Sequence, residues 1–401
     1  MTPHASAVRA ILANPSLRLT AGLMVLQGGL ACSFGPYISV LAVRQFGLGD
    51  RGYAVMMIFS TLVSVVAAVG AGIRADQTAN RRRIALWSSA LMMIGAGLMT
   101  VAPSPISFVA AHVVIFPLNT LFGQLFAQSR LAAQAYDPAT RDGIQATIRA
   151  LFALPFVIVL PLWSWAFGHG TPVLAVYPFA LVLAALILAI TARSWPGPKL
   201  SDIHDRPSGL SLQQALAELA SPALGLRILA LGAVSAGGTA YWAIMGLALT
   251  QPDGSGTATT ALYAGLVAGL EVPFMLALPA ILPRFQRTHL ILIGTCIFAL
   301  QLLGIPLLAG SNWLWLAMIP GAAGGAITLT LPIAYLQDAL GHRPGTGAAL
   351  MALMKVAGDG LAAGSFALGT ALSGYLLAAC LAAVVTVAGA LALMWADRST
   401  G

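Results

Sequence analysis

Four ionisable side chains lie inside long apolar stretches of the sequence. Glu271 and Asp359 are acids, and Arg149 and Lys355 are bases. A charge at the centre of a lipid bilayer costs about 3 kcal/mol or more, so such residues indicate binding of an ion, a proton or a substrate. Arg149 is near one end of its stretch, where it could also extend to the membrane surface. We predict a role for it in a cavity or gate.

The two acids differ in the partners that their own helices can supply. Lys355 precedes Asp359 by four residues, so both would share one helical face. This pair could act in proton coupling, or it could merely neutralise itself so that the segment inserts. Glu271 has no such partner, because Val267 and Met275 flank it one turn away. A carboxyl group buried without a partner tends to bind a proton, so we predict Glu271 as a proton or substrate site.

Motifs for enzymatic or ATP-driven chemistry are absent from the sequence. No Gly-Lys-Ser/Thr phosphate-binding loop occurs. The six histidines and three cysteines are scattered, without the spacing of a metal site, a disulfide framework or a catalytic cluster. The sequence therefore predicts no enzyme activity, no cofactor and no metal.

The composition identifies the solvent of the chain. Of 401 residues, 59% are hydrophobic and 8% are charged, and the mean hydropathy is +0.88. Soluble domains carry about 25% charged residues, and a compact fold could not hide this much apolar surface. The net charge of +8 does not indicate nucleic acid, because the basic residues fall in short segments between apolar stretches. We predict an all-α, polytopic membrane protein in contact with lipid.

Twelve stretches are long enough to cross the hydrocarbon core, which needs about 20 apolar residues. They are uniformly apolar rather than alternating, which favours helices over the strands of a barrel. A turn of small residues, Gly369 to Ser373, separates the last two. The predicted spans are 17–43, 52–73, 84–101, 107–128, 143–167, 172–192, 224–249, 259–282, 290–309, 312–336, 347–368 and 374–395.

The basic residues predict the orientation. With both termini in the cytoplasm, most of them lie in or beside cytoplasmic segments, and only Arg44 and Arg51 face outwards. One long connection contains a predicted surface helix from Ser211 to Leu219. The predicted domains are an N-terminal six-helix half (1–192), a central cytoplasmic loop (193–223) and a C-terminal six-helix half (224–401). This layout is typical of transporters with two pseudo-symmetric halves.

Several motifs carry a resemblance to a known family. The loop after the second span has Gly72, Asp76 and the bases Arg81, Arg82 and Arg83. It resembles the loop signature of the major facilitator superfamily, although it lacks the second glycine and the base beside Asp76. Other segments of the sequence more closely resemble the bacterial sugar efflux transporter (SET) family of that superfamily. The segments that resemble it are Gly265-Leu-Val-Ala-Gly-Leu-Glu271-Val-Pro273, Leu336-Gln-Asp338, Gly345-Thr-Gly347, Gln124-Leu-Phe-Ala-Gln-Ser-Arg130 and Arg149-Ala-Leu.

The resemblance implies a set of site residues. In this superfamily helices one, four, seven and ten, with parts of five, eight and eleven, line a central cavity. The loop residues Gly72, Asp76 and Arg81–Arg83 would act at a cytoplasmic gate, with Gly72 allowing close helix packing; alternatively, the arginines only set the topology. Bonding between helices is the alternative for each cavity residue. The predicted substrate-binding residues are Gln27, Tyr37, Asn119, Gln124, Gln128, Arg149, Tyr241, Trp242, Glu271 and Tyr335.

The resemblance also implies a function. It predicts a secondary transporter of the bacterial inner membrane that exports a sugar, or a related small polar solute, in exchange for protons. Coupling would involve Glu271, Asp359 and Lys355. A proton-coupled exporter of drugs or hydrophobic metabolites is one alternative, favoured by an apolar, aromatic cavity. A membrane receptor or scaffold that transports nothing is the other.

Overall fold

The computed structural model describes residues 3–78, 80–195, 222–251, 256–340 and 344–398. Every regular element in these ranges is a helix, which confirms the predicted all-α class. Eleven helical segments are long and apolar enough to cross a membrane. The predicted surface helix from Ser211 to Leu219 lies outside the described residues.

Nine α-helices precede the long connection in the described residues. Asn14 caps the second of them, because its side-chain oxygen accepts a hydrogen bond from the backbone amide of Ser16 at 2.9 Å. Asn80 caps the fifth in the same way, through the amide of Arg83 at 3.2 Å. The helices are α1 (Pro3–Ala13), α2 (Pro15–Phe34), α3 (Ile38–Val40), α4 (Gly49–Thr78), α5 (Arg81–Val101), α6 (Pro105–Val109), α7 (Leu121–Ala133), α8 (Pro138–Gly168) and α9 (Val176–Ser194).

After the connection, the part of the chain that the structure describes contains six α-helices. The last two are separated where the small residues predicted a turn, and Gly374 there has a φ of +115°, which favours glycine. A Cβ atom at Gly369 would overlap the backbone of Ala378, so this turn also depends on a close helix contact. The helices are α10 (Pro222–Leu249), α11 (Gly256–Ile281), α12 (Arg287–Leu308), α13 (Met318–Leu340), α14 (Pro344–Leu372) and α15 (Tyr375–Arg398).

The fourth predicted span, 107–128, is not one continuous helix. A π-helical stretch, Ala110–Ile115, follows α6, and α7 begins only at Leu121. Pro117 lies in the intervening segment. Since proline has no amide hydrogen and clashes with the preceding turn, the helix cannot run through this point undisturbed. The expectation of a continuous fourth helix is therefore corrected.

The chain forms two compact units. Unit 1 comprises Met1–Gly35, Val66–Leu162 and Thr171–Ser208, and unit 2 comprises Pro36–Val65, Trp163–Gly170 and Gly209–Gly401. In unit 1, α2, α5, α7 and α9 pack around a core that includes Leu17, Met24, Leu121, Ile144 and Ile187. In unit 2, α10 packs against α14 and α15 over a core that includes Ile228, Leu231, Val234, Ile291 and Leu393.

Candidate functional site

A buried carboxylate links three helices of unit 2. Asp359 on α14 is only 7% exposed. Its Oδ2 atom accepts hydrogen bonds from Nζ of Lys355 and from Oγ1 of Thr61 on α4, each at 2.6 Å. Its Oδ1 atom accepts a third bond from Oγ1 of Thr239 on α10 at 2.7 Å. The predicted Lys355–Asp359 pair is therefore present, and the two threonines are partners that the sequence reasoning missed.

Small residues bring α10 and α14 together beside this carboxylate. A Cβ atom at Gly358 would overlap the hydroxyl of Ser235, and one at Gly232 would lie 2.7 Å from Cβ of Ala357. The two helices are therefore in close contact at Gly232 and Gly358. The close approach brings Thr239 within hydrogen-bonding distance of Asp359.

The segment Pro36–Val65 of unit 2 makes two more hydrogen bonds to the helices that follow the long connection. Nη2 of Arg44 donates to the carbonyl of Leu247 at 3.0 Å. The hydroxyl of Tyr375 donates to Oδ1 of Asp50 at 3.2 Å. These bonds, together with the Thr61–Asp359 bond, fasten the segment Pro36–Val65 to α10, α14 and α15.

Glu271 has a different environment in the same unit. Its carboxylate lies against α13 at Gly325, where a Cβ atom would overlap Oε1. It makes no hydrogen bond or ion pair with any residue in the described ranges. The sequence predicts that Glu271 has no partner in its own helix. The neighbouring helices, in the parts that the structure describes, supply no partner either.

Three other polar residues of unit 2 lie within α10, α11 and α12. Tyr241 on α10 is within electrostatic range of both Glu271 and Tyr263. Nε2 of Gln301 on α12 donates to the hydroxyl of Tyr263 at 3.2 Å. Only Tyr241 was a predicted site residue, and its ring packs against its neighbour Trp242 with centroids 5.1 Å apart. Gln301 and Tyr263 were missed, although a search for every neutral polar residue within the spans would have found them.

Unit 1 carries an exposed cation within a predicted span. Arg149 on α8 is exposed, and its guanidinium carbon lies 5.8 Å from the ring centroid of Phe126 on α7. That ring packs against Phe122, and Phe122 packs against Phe152. A Cβ atom at Gly28 would overlap the carbonyl of Phe152, so α2 and α8 are in close contact beside this aromatic cluster.

Two of the four predicted amide residues of unit 1, Asn119 and Gln124, have structural partners. Oδ1 of Asn119 accepts from the amide of Leu121 at 2.9 Å and so caps α7. Oε1 of Gln124 accepts from Nη1 of Arg81 at 3.4 Å, a long bond. Gln128 and Gln27 are 7% and 6% exposed, and Oε1 of Gln27 has no hydrogen-bond partner within the described part of the chain.

Two predicted aromatic site residues lie in other surroundings. Tyr37 in unit 2 is fully buried, with its ring edge-on to Phe167. The hydroxyl of Tyr335 donates to Oδ1 of Asp397, which also pairs with Arg227 at 3.5 Å. Tyr335 therefore belongs to an ionic cluster that joins α10, α13 and α15, rather than to the surroundings of Glu271.

The predicted gating loop has mixed outcomes. A Cβ atom at Gly72 would meet no atom within 4 Å among the described residues, so the expected close packing at this glycine is corrected. The side chain of Asp76 lies outside the described part of the chain. Arg81 reaches Gln124, Arg82 donates to the carbonyl of Ala192 at 2.8 Å, and Arg83 is exposed. Arg82 thus caps the end of α9, where a positive charge is favourable.

No group of three or more His, Cys, Asp or Glu side chains suited to a metal ion occurs among the described residues. No protein-family model matches the chain. A "putative sugar efflux transporter" of Deinococcus radiodurans is 26% identical over 398 residues, which cover 96% of this chain and 98% of that protein.

Solved structures share the fold over nearly the whole chain. The nucleoside transporter NupG, in a D323A mutant, has a TM-score of 0.76 at 16% identity and covers 96% of this chain and 100% of its own. A D-xylose-proton symporter has a TM-score of 0.69 at 15% identity, covering 95% and 96%. The chain has the major facilitator fold. It is a multi-pass membrane protein, and the proteins that it resembles are transporters rather than enzymes.

Proposed function

We propose that this protein is a secondary transporter that exports a sugar, or a related small polar solute, in exchange for protons, with Glu271 as the proton-binding group. The observation that carries the proposal is the contrast between Glu271 and Asp359. A charge on Glu271 would have no compensating donor from the described residues, whereas Asp359 is paired with Lys355. An uncompensated buried charge costs several kcal/mol, and taking up a proton removes that cost.

The choice of a sugar rests on similarity and on chemistry. The Deinococcus radiodurans relative is described as a sugar efflux transporter, and one protein of similar fold carries D-xylose with protons. A sugar offers hydroxyls and an apolar face, so its sites combine polar groups with flat rings. Arg149 beside Phe126 supplies such a combination in unit 1.

The other predicted residues have secondary roles in this proposal. The predicted amides and Trp242 would contact the substrate, and Asp359 with Lys355 would support coupling by holding helices together rather than by carrying the proton. The arginines of the loop after α4 would act at a cytoplasmic gate. We further propose that 1–192 and 224–401 are the two halves that move, in a bacterial inner membrane with both termini cytoplasmic.

The aromatic surroundings of Arg149 favour one second candidate. Phe122, Phe126 and Phe152 form an apolar cluster that would suit an exporter of drugs or hydrophobic metabolites. Such a transporter would use the same proton site, so the two candidates differ only in the substrate.

Transport by the purified protein in proteoliposomes tests both points. Labelled mono- and disaccharides and a lipophilic cation would be offered separately, with a pH-sensitive dye enclosed in the vesicles. We expect sugar flux coupled to opposite proton movement, with that coupling lost in Glu271→Gln and kept in Asp359→Asn. Movement of only the lipophilic cation would favour the second candidate. Proton coupling that persists in Glu271→Gln would overturn the assignment of Glu271.

A further inference from the structure

Among the buried polar atoms of unit 2 that lack hydrogen-bond partners within the residues that the structure covers, two lie on α10 and α12 near Tyr263 and Glu271. They are Oε1 of Gln301 and the hydroxyl of Tyr241. Gln301 is fully buried and Tyr241 is 5% exposed. Leaving a buried polar group unpaired costs about 1–3 kcal/mol. Buried water normally satisfies such groups when the site is polar.

Gln301 and Glu271 both lie against a glycine-lined face of α13. The carboxamide of Gln301 occupies the position that a Cβ atom would take at Gly321, and Oε1 of Glu271 does the same at Gly325. These glycines are four residues apart, which is about 6 Å along a helix and places them on one face. The amide of Gln301 and the carboxylate of Glu271 therefore contact the same face of α13, one helical turn apart.

The polar residues extend from Glu271 towards one end of the unit. Tyr263 precedes Glu271 by eight residues on α11, about 12 Å along its axis. Its ring contacts Trp315, with centroids 6.3 Å apart, in the short helix Asn312–Ala317 that connects α12 to α13. Gln301 bonds Tyr263 from the last part of α12. The polar tract, defined as Glu271, Tyr241, Tyr263 and Gln301, thus runs from the middle of α11 towards the α12–α13 connection.

We propose that this tract binds water and conducts protons between the α12–α13 end of unit 2 and Glu271. The proposal rests on the proposed function, in which Glu271 carries the coupled proton. Water held by Gln301 Oε1 and by the Tyr241 hydroxyl would complete a hydrogen-bonded chain from Tyr263 to the carboxylate. Each transfer would move one proton between oxygen atoms of waters, tyrosine hydroxyls and the Glu271 carboxylate, with one O–H bond breaking as another forms; the Gln301 amide holds water and carries no proton. In the orientation predicted from the basic residues, this end faces the outside, the source of protons for an exporter.

The tract has two features that packing alone does not require. First, Gln301 and Tyr241 are deeply buried with polar atoms unpaired, although a leucine or a phenylalanine would fill similar volumes without that cost. Second, both Gly321 and Gly325 leave space for a polar side chain of a neighbouring helix. A glycine within a helix costs about 1 kcal/mol relative to alanine. Gly321 and Gly325 therefore destabilise α13 but leave space for the side chains of Gln301 and Glu271.

The test compares two modes of transport in the full-length protein. Net efflux requires a proton to be bound and released in each cycle. Exchange of labelled for unlabelled substrate does not, because the protein can return with the second substrate molecule bound and without net proton movement. Gln301→Leu and Tyr263→Phe should slow proton-coupled net flux by about tenfold or more, as loss of a proton-transfer group does, and leave exchange unchanged. Tyr177→Phe is the matched control, because it removes a buried hydroxyl that bonds His112 in unit 1; we expect it to change neither mode.

The outcomes separate the tract from the proposed function. If Glu271→Gln abolishes coupling but Gln301→Leu and Tyr263→Phe do not slow net flux, the conduction pathway is wrong and the proton site stands. If both variants slow exchange as much as net flux, the tract is structural and the inference is wrong. If Glu271→Gln keeps its coupling, the proposed function fails, whatever the tract variants do.

Discussion

Two carboxyl groups lie within spans of unit 2, and their neighbours differ sharply. Asp359 accepts hydrogen bonds from Lys355, Thr61 and Thr239, which belong to three helices. Glu271 lies against the glycines of α13 and receives no such bond from the described residues. Asp359 thus joins three helices through hydrogen bonds, and we call this site the helix junction. Glu271 is held by packing contacts in the described part of the structure.

The comparison shows that an acidic residue in a membrane span can have more than one role. Where donors surround the carboxylate, its charge is compensated and it fastens helices together. Where they do not, protonation is the available way to lower its cost, and a proton-coupled cycle can use it. The surrounding helices decide between these roles, not the residue type.

The largest expected effect on stability is at the junction. Asp359→Ala should lower the free energy of unfolding by about 3 kcal/mol, because two buried threonine hydroxyls lose their acceptor. Unfolding in detergent, followed by circular dichroism, would measure it. Lys355→Met should cost less, since the lysine side chain is 51% exposed, exposed ion pairs contribute little, and the hydroxyls of Thr61 and Thr239 still donate to the carboxylate. Equal losses in the two variants would show that the ion pair, not the hydroxyl bonds, stabilises the junction.

A smaller effect is expected where Glu271 meets α13. Gly325→Ala places a methyl group where the carboxylate lies, and such overpacking costs about 1–3 kcal/mol. In a Glu271→Ala background the same change should cost nothing, which a double-mutant cycle would measure as coupling between the positions. Gly360→Ala is the control, because a Cβ atom there meets nothing within 4 Å among the described residues. A penalty at Gly325 that is independent of Glu271 would refute the contact.

The smallest effect is expected for single hydroxyl bonds to Asp359. Thr239→Val keeps the side-chain volume but removes one donor, and should cost about 1 kcal/mol. Thr370→Val is the matched control, because its hydroxyl bonds carbonyls of its own helix, those of Phe366 and Ala367, and it should cost less. The same unfolding assay compares them. If Thr239→Val costs no more than Thr370→Val, the bond to Asp359 contributes nothing measurable.

Much of the fold was predictable because hydropathy and length determine a membrane span. The turn after α14 and the Lys355–Asp359 pair follow from local sequence alone. The break before α7 does not, since the stretch around Pro117 is as apolar as a continuous helix. A proline within a span can either kink a helix or end it, depending on which neighbours satisfy the freed backbone groups.

The candidate site was predictable only in its charged members. Glu271 is recognisable by its cost in lipid, but its contact with Gly325 depends on the rotation of α11 and α13. Segments that are apolar all round have little amphipathic signal to reveal that rotation. Asn119 and Tyr335 were expected in a cavity for this reason, whereas the structure shows a helix cap and an ionic cluster.

Infrared difference spectroscopy of the reconstituted transporter tests the central claim most directly. Spectra recorded at alkaline and acidic pH would show the C=O stretch of any buried carboxyl group that takes up a proton. We predict such a band in the wild type and in Asp359→Asn, and its loss in Glu271→Gln. A band that persists in Glu271→Gln and disappears in Asp359→Asn would contradict the account, because the proton would then bind at the helix junction.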